Sequence, residues 1–216
     1  MVHDFSNKNS VIQRFIGELR DVNIQKDPLR FRRNLERIGE IFAYEVSHTL
    51  EYEIHEVETP LGVANVNYIA DRIVLSTILR AGLPMHQGML NYFDRAENAF
   101  VSAYRMHHKD GTFEIKVEYI SCPSLEHSVL IIVDPMLATG ASMEIAINAL
   151  KKYGKPKQIH IVAAIASAEG LNHIQRRFPD AEIWIGAVDE ELTARSYIVP
   201  GLGDAGDLSY GKKIQN

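Results

Sequence analysis

A short apolar run that ends at an acidic residue and a small-residue loop is the feature that most constrains the fold of this chain. Val129 to Val133 is rich in β-branched residues, which is typical of a strand buried on both faces of a sheet. Asp134 and Pro135 end the strand, because proline has no N–H to continue the sheet. Small residues occupy 138–142, and the pattern from Met143 to Tyr153 predicts a helix. This order of elements turns backbone N–H groups and a helix N-terminus toward an anion.

The loop after this strand carries chemistry suited to a phosphate. Thr139 and Ser142 add hydroxyl donors, and Gly140 gives the backbone freedom to approach a ligand closely. Asp134 lies at the carboxyl end of the strand, where open α/β sheets usually bind ligands. The loop has neither the lysine of a P-loop nor the glycine spacing of a dinucleotide-binding loop. An ordinary strand-to-helix connection made of small residues is the alternative interpretation.

Length and charge indicate one ordinary globular domain over residues 1–216. A chain of 216 residues can bury a substantial core, and its formal charge of -5 argues weakly against a nucleic-acid partner. Cys122 is the single cysteine, which excludes an intrachain disulfide and a thiol-based metal site. An apolar run of about 18 residues and a signal-peptide pattern are both absent, so we expect a cytoplasmic protein with no membrane partner.

The first half of the chain is predicted to hold two helices and a hairpin. The first ten residues are polar, and we expect them to be loose. Val11 to Arg20 predicts a short amphipathic helix, and Asp27-Pro28 predicts the start of a helix that runs to about His48. Residues on one face of that helix recur at spacings of four, three and four: Phe31, Leu35, Ile38 and Phe42. Its arginines are interpreted as a solvated face; a basic nucleic-acid stripe is the alternative, interrupted by two glutamates: Arg30, Arg32, Arg33, Arg37, Glu36 and Glu40.

The segment 51–69 predicts a β-hairpin arm that stands apart from the core. Apolar and polar residues alternate on both sides of the turn at 59–62. Arms of this kind commonly serve a partner subunit, so a homodimer or higher homo-oligomer is expected.

Strands and helices alternate through the rest of the chain. This alternation predicts an α/β fold with a mostly parallel central sheet flanked by helices. The predicted strands are 72–78, 99–104, 113–119, 158–165 and 181–187, with helices over 84–93 and 169–177 and a turn at 109–111.

Arg80 follows the strand at 72–78 and stands close to Gly82. A buried guanidinium without a partner is costly, so either a carboxylate or a ligand anion should meet it. Both alternatives remain open from the residues alone. His107 and His108 are interpreted as surface residues, because neighbours on a strand face opposite sides.

The tail from Tyr197 to Asp207 is rich in turn-forming residues. It holds three glycines, one proline and two aspartates in eleven residues, so we expect no regular element there. Its exposed backbone groups can bind the edge of a flat polar heterocycle. A flexible linker is the alternative, although Tyr197, Ile198 and Val199 just before the glycines argue against it.

Together these segments resemble the uracil phosphoribosyltransferases of the type I phosphoribosyltransferase family. The matching segments are Phe31–Glu45, Ile78–Gly82, Tyr104-Arg105, Asp134–Ser142 and Tyr197–Asp207. The resemblance implies a phosphoribosyltransferase-type fold with a C-terminal base-binding loop at about 197–211. It also implies transfer of 5-phosphoribose from 5-phosphoribosyl 1-diphosphate (PRPP) to N1 of uracil, which forms UMP and diphosphate in pyrimidine salvage, with Mg²⁺ as cofactor.

The resemblance also implies roles for individual residues. The implied catalytic residues are Arg80, Arg105, Asp134 and Asp204. The implied PRPP-binding residues are Arg80, Arg105, Asp134, Pro135, Met136, Leu137, Ala138, Thr139, Gly140, Ala141, Ser142 and Asp204. The implied uracil-binding residues are Tyr197, Ile198, Gly203, Asp204 and Ala205. No side chain is expected to ligate Mg²⁺ directly; the ion arrives with PRPP, near Asp204.

The chain departs from the family pattern at three places. The family usually has glycine at the position of Ala141, and a basic residue followed by Phe-Gly-Thr where this chain has Leu208–Gly211. The segment 106–109 also differs. These departures leave open the choice of base, the rate and whether GTP is an effector. Transfer to another base and an RNA-binding regulator are the alternative functions, and a catalytically inactive structural subunit is disfavoured.

Overall fold

The computed structural model describes the backbone of residues 1–107 and 113–213, and their side chains except those of 103–116. In this part of the chain the helices are α1 (Val11–Arg20), α2 (Pro28–Ser47), α3 (Leu83–Leu90), α4 (Ala141–Leu150), α5 (Ala168–Arg177) and α6 (Ala205–Tyr210). The strands are β1 (Val2–Asp4), β2 (Tyr52–Thr59), β3 (Gly62–Ile69), β4 (Ile73–Leu79), β5 (Glu97–His107), β6 (Phe113–Ser121), β7 (Val129–Val133), β8 (Met136–Leu137), β9 (Gln158–Ser167), β10 (Glu182–Asp189), β11 (Glu191–Leu192) and β12 (Ile198–Val199).

The central sheet is mostly parallel, as the alternation of strands and helices predicted. Its strand order is β1-β10-β9-β7-β4-β5-β6, with the short β8 also paired to β9. The β5–β6 pair is antiparallel, and the other neighbours in this sheet are parallel. The carboxyl ends of β4, β5, β7, β9 and β10 therefore meet at one edge of the sheet, where doubly wound folds bind ligands.

Strand β7 occupies the middle of this sheet and is buried on both faces. Val129, Ile131 and Val133 pack into the cluster that contains the buried faces of α1, α2 and α3. Leu130 and Ile132 face the second cluster, beneath α4 and α5. Two covered faces explain why all five residues of the strand are apolar.

The predicted N-terminal helices are confirmed. Asp27 caps α2, and its carboxylate accepts from the backbone N–H groups of Leu29 and Arg30 at 2.9 and 3.2 Å. The four residues that defined the apolar face of α2 are fully buried: Phe31, Leu35, Ile38 and Phe42. Of the arginines, Arg33 is exposed, whereas Arg32 donates to the Ser209 carbonyl oxygen at 2.7 Å and so fastens the tail.

The prediction of a loose N-terminus is wrong. Val2–Asp4 forms a parallel edge strand on β10, with Val2 opposite Ile183. The His3 ring stacks on the Trp184 indole with centroids 3.8 Å apart. Neither contact has a local signature, because the partner strand lies at the far end of the chain.

Helix α4 and the tail also differ from the predictions. Helix α4 begins at Ala141 rather than Met143, and it ends at Leu150 before a single 3₁₀ turn, Lys151–Tyr153. The tail was predicted to lack regular elements, but it contains β12, which pairs with β11, and the short helix α6. Asp204 caps α6, and its carboxylate accepts from the backbone N–H of Asp207 at 2.9 Å.

The hairpin arm is confirmed as a separate two-stranded sheet. Strands β2 and β3 pair in register from Tyr52 opposite Ile69 to Thr59 opposite Gly62. Its apolar side chains Ile54, Leu61 and Val63 are exposed. The turn predicted at 109–111 and the side chains of His107 and His108 lie outside the described residues. Among the described helices, none has the length and hydropathy needed to cross a membrane.

Candidate functional site

Asp134 lies at the carboxyl end of β7, in the middle of the sheet edge where the carboxyl ends of the parallel strands meet. Its backbone N–H donates to the Val162 carbonyl oxygen at 3.1 Å, which holds the end of β7 against β9. The side chain is half-buried. Loss of hydration raises the pKa of Asp134 to about 7, although a hydrogen bond from the backbone N–H of Met136 opposes the shift. This carboxyl group is therefore poorly solvated, and a cationic neighbour would favour its ionised form.

The loop 138–142 is held closely by α5. Gly140 has a φ of +80°, and a Cβ there would lie 3.0 Å from Cδ2 of His173. Glycine is required at this position on both counts. A Cβ on Gly170 would overlap the Ala138 carbonyl oxygen, which also accepts from the Ser167 hydroxyl at 2.5 Å. The end of β9 and the start of α5 thus determine the path of the loop.

The loop opens into the first turn of α4, as its phosphate-binding interpretation requires. Ala141 is the first residue of α4 and lies outside the left-handed region, so the methyl group that replaces the family's glycine causes no backbone strain. Thr139 Oγ accepts weakly from the Ala141 N–H at 3.4 Å. Ser142 lies in the same turn and is partly exposed. The first-turn N–H groups and the two hydroxyls form a compact group of donors.

Glu144, in the same helical turn, was not singled out from the sequence. Its carboxylate lies 2.6 Å from Nε2 of His173 and 2.6 Å from Arg177. Burial would raise the pKa of Glu144, but these two partners outweigh it and hold the pKa below its usual value. The two α5 residues offset a negative charge that would otherwise weaken phosphate binding at this helix end. Proximity to the loop was the only signal in the sequence.

Arg80 meets the tail of the chain. Its guanidinium donates to the Gly211 carbonyl oxygen at 3.1 Å and to Asp207 Oδ1 at 3.4 Å, and its side chain is 41% exposed. A carboxylate does approach it, although at the limit of hydrogen bonding, so most of its donors stay available to a ligand. A Cβ on Gly82 would overlap Thr77 Oγ1 and lie 2.9 Å from the Val133 carbonyl oxygen. Residues 80–82, here called the arginine loop, therefore pack directly on the end of β7.

The tail packs beside the arginine loop. Leu202 and Ala205 are buried in the same cluster as Val133. A Cβ on Gly206 would lie 4.0 Å from Arg80 Nη2 and 3.2 Å from Asp204 Oδ1. The structure thus brings the arginine loop, the end of β7 and the glycine-rich tail together at one edge of the sheet.

The other predicted residues differ in burial and in backbone conformation. Ile198 is buried, whereas Tyr197 is 44% exposed. Gly203 has a φ of +94°, and within the described residues its backbone groups make no hydrogen bond to the protein. Arg105 lies in β5, opposite Ile115 and beyond the last β4 partner, but its side chain is outside the described part of the structure.

Two charged residues of this region were missed from the sequence. Asp189 ends β10 and is 7% exposed; Arg20 ends α1, and its guanidinium bonds to both carboxylate oxygens of Asp189. The only signal was an acidic residue at a strand end. Its partner is 169 positions away in the chain.

Comparisons with known proteins show which proteins this chain is similar to. The family model described as uracil phosphoribosyltransferase matches residues 6–212. A Porphyromonas gingivalis protein named uracil phosphoribosyltransferase is 54% identical over 208 residues, which cover 96% of each chain. The solved AQ2163 protein from Aquifex aeolicus is 33% identical, covers 100% of both chains and has a TM-score of 0.88. A hypoxanthine phosphoribosyltransferase from Staphylococcus aureus is 15% identical, with a TM-score of 0.50 over 86% of this chain and 84% of that one, and shares the fold alone.

Proposed function

The chain belongs to the uracil phosphoribosyltransferase family, and we propose that three loops at one edge of its sheet divide the work of that family's reaction. The enzyme transfers 5-phosphoribose from PRPP to N1 of uracil, which forms UMP and releases diphosphate. Its fold is that of the type I phosphoribosyltransferases. In the reaction the bond from ribose C1 to the diphosphate oxygen breaks, N1 of uracil bonds to C1, and N1 loses its proton.

The loop from Asp134 to Ser142 binds the sugar phosphate of PRPP. The 5′-phosphate accepts hydrogen bonds from the first-turn N–H groups of α4 and from the hydroxyls of Thr139 and Ser142. Asp134 lies beside the ribose hydroxyls. Its poor hydration supports this role, because a carboxylate that water screens only weakly interacts strongly with positive charge that develops on the ribose.

Arg80 and Arg105 bind the diphosphate. An arginine fork matches the geometry of phosphate oxygens, and its charge stabilises the leaving group as the C1–oxygen bond breaks. The exposure of Arg80 and the weakness of its contact with Asp207 support this assignment. For Arg105 the support is its position on β5, whose carboxyl end lies at the same edge as that of β4.

Mg²⁺ fits the donors present at this edge. Phosphoribosyltransferases generally use Mg²⁺ with PRPP. Asp134 and Asp204 offer carboxylate oxygens, the ligand type that Mg²⁺ prefers. One oxygen of Asp204 already accepts from the Asp207 N–H, so its other oxygen would be the one available to the ion or to the waters around it. Bound Mg²⁺ neutralises part of the diphosphate charge.

The tail binds uracil through Ile198, Tyr197 and the backbone of Gly203 to Ala205. Uracil presents an acceptor, a donor and an acceptor along its O4–N3–O2 edge. The backbone groups of Gly203, which have no partner among the described residues, support this assignment. Cytosine presents a different order and would leave a buried group unpaired, at a cost of roughly 1–3 kcal/mol.

The hairpin arm supports a homodimer or a higher homo-oligomer. Its exposed Ile54, Leu61 and Val63 stand on a two-stranded sheet that pairs with no other strand in the described chain. An isolated two-stranded sheet is marginally stable in water, so contact with a second copy would stabilise it. Sedimentation of the wild type and of a Leu61→Ser, Val63→Ser variant tests this assignment. A wild-type monomer would overturn it.

The packing of the tail against Arg80, beside the end of β7, is the observation that carries the function. Purified protein with Mg²⁺, PRPP and labelled uracil is expected to yield labelled UMP and diphosphate. Cytosine, hypoxanthine and xanthine compete in parallel, and transfer to one of them in preference to uracil would contradict the proposed base. Salt-sensitive RNA binding without diphosphate release would contradict the function itself. Adding GTP to the same assay tests it as an effector.

A further inference from the structure

A largely buried ion pair connects the end of α1 to the end of β10 and contacts the tail loop. Arg20 donates to both carboxylate oxygens of Asp189 at 2.7 and 2.8 Å. The side chain of Arg20 is 23% exposed and that of Asp189 is 7% exposed. Paired in two parallel hydrogen bonds, the two groups have a geometry that tolerates little displacement.

Both backbone groups of Gly201 are bound to this pair. The Gly201 N–H donates to Asp189 Oδ2 at 3.0 Å, and its carbonyl oxygen accepts from Arg20 at 2.9 Å. The next carbonyl oxygen, that of Leu202, accepts from the Gln25 side chain at 3.2 Å. Gly201 has a φ of +59°, and a Cβ there would overlap the Ile198 carbonyl oxygen. The chain is thus fixed at residues 201 and 202.

The binding stretch starts directly after this fixed point. Gly203 makes no backbone hydrogen bond within the described residues, and Asp204 caps α6. A rigid attachment two residues before the unpaired groups determines where those groups stand. The ion pair itself lies on the side of α1 and β10, and the sugar-phosphate loop follows β7.

We propose that Arg20 and Asp189 are positioning residues for the base site, acting through Gly201 and Leu202 on the backbone of Gly203 to Ala205. The proposal rests on the proposed function and deepens it. Neither residue needs to touch PRPP or uracil. Their effect is therefore selective: loosening the pair displaces the base-binding backbone and leaves the PRPP loop in place. Displacements of about 1 Å near reacting groups can reduce rates by about a hundredfold.

Two variants test the pair. Asp189→Asn keeps the size of the side chain but replaces one acceptor oxygen with a donor that opposes Arg20. Arg20→Lys keeps the charge but loses the planar fork. In both variants we expect the KM for uracil to rise by about tenfold or more, while the KM for PRPP stays within about twofold of wild type.

Arg72→Gln is the matched control. Arg72 also donates to both oxygens of a carboxylate, that of Glu97, at 2.7 and 2.8 Å, and to the backbone carbonyl oxygens of Ser124 and Glu126. It precedes β4, at the opposite edge of the sheet. Its loss is expected to lower stability without changing the ratio of the two KM values.

A binding measurement separates positioning from general damage. UMP fills the base and phosphate sites, whereas ribose 5-phosphate fills the phosphate site alone. Calorimetric titration of the Asp189 and Arg20 variants should show weaker UMP binding with unchanged ribose 5-phosphate binding. Equal losses for both ligands, or unchanged uracil KM values in an active enzyme, would overturn the positioning role alone. A wild type that forms no UMP would instead overturn the proposed function, and this inference with it.

Discussion

Asp134 is suited to ligand binding, but it lowers the stability of the unliganded protein. Its carboxyl group stands at the end of β7, whose five residues are all buried, and loss of hydration raises its pKa to about 7. A group whose pKa is raised by folding binds its proton more tightly in the native state. Between its ordinary pKa of 3.8 and about 7, stability therefore decreases as the pH rises.

Replacing Asp134 by asparagine should therefore stabilise the unliganded protein while reducing its activity. Asparagine carries no charge at any pH, so the gain should grow by roughly 1–3 kcal/mol between pH 5 and pH 8. Activity should fall by about a hundredfold or more, because the positive charge on the ribose loses its partner. Urea unfolding at the two pH values measures the gain. Asp180→Asn, at an exposed aspartate, is the control; a gain independent of pH would contradict the argument.

Arg80 should act mainly on PRPP. The Arg80→Ala variant is expected to raise the KM for PRPP and lower kcat, with a combined loss of about a hundredfold or more in kcat/KM for PRPP. Its stability should change by less than about 1 kcal/mol, because the residue is 41% exposed and its contact with Asp207 is 3.4 Å long. Steady-state kinetics with varied PRPP checks this. Arg95→Ala, at an exposed arginine, should behave as wild type, and an unchanged PRPP dependence in Arg80→Ala would refute the assignment.

At the scale of elements, the sequence was informative wherever one segment determined its own structure. Helix α1 has the predicted bounds, and Asp27 caps α2 where the Asp27-Pro28 signal indicated. The five apolar residues of β7 predicted a strand with two covered faces. Each of these patterns is local, since periodicity and capping involve residues a few positions apart.

Elements that depend on distant partners were missed or misjudged. Strand β1 exists because β10 offers it an edge, and α6 forms because Asp204 caps it while Arg32 holds the Ser209 carbonyl oxygen. The glycines of the tail argued against any regular element, so that short helix was not predicted. The candidate site shows the same division: the phosphate loop was recognisable from its own residues. The pair of Arg20 and Asp189 joins opposite ends of the chain and has no local pattern.

Removing the tail after Val199 should leave a folded chain that does not bind the base. The truncation removes Leu202 and Ala205 from the core, so we expect a loss of roughly 3–5 kcal/mol in the free energy of unfolding. Circular dichroism should retain the helical signal, and ribose 5-phosphate binding should persist because its loop precedes the cut. A control that ends at Lys213 keeps the described contacts of the tail. Uracil-dependent turnover in the variant that ends at Val199 would contradict the assignment.

In the molecule as a whole, the sheet separates two cores, and one buried polar group lies near the amino end of β9, away from the carboxyl-end site. His160 is fully buried on β9 and accepts from the Trp184 indole N–H at 3.1 Å. Its Nε2 has no partner among the described residues. Burial lowers the pKa of His160 to about 4, modulated by the surrounding charges of Glu182, His3, Asp71 and the N-terminus. The imidazole is therefore neutral in the folded protein at pH values where an ordinary histidine gains a proton.

His160 and Asp134 should give the molecule opposing pH dependences. Below pH 6.5 the unfolded chain protonates His160 but the folded chain does not until about pH 4, so this residue lowers stability as the pH falls through that range. Asp134 does the reverse between about 7 and 3.8. In the wild type the two pH dependences largely offset each other. The Asp134→Asn variant should therefore show the pH dependence due to His160, and the His160→Gln variant should show the one due to Asp134.

The His160→Gln variant should therefore become more stable relative to wild type as the pH falls from 6.5 to 4.5. The difference should grow by up to about 1.4 kcal/mol per pH unit, the value for one proton. Asp134→Asn should show the opposite trend, its advantage shrinking toward low pH. Urea unfolding at half-unit pH steps measures both curves, with His55→Gln on the exposed hairpin as the control. Parallel curves for wild type and His160→Gln would mean that the buried imidazole takes up its proton in the folded state as readily as in the unfolded chain.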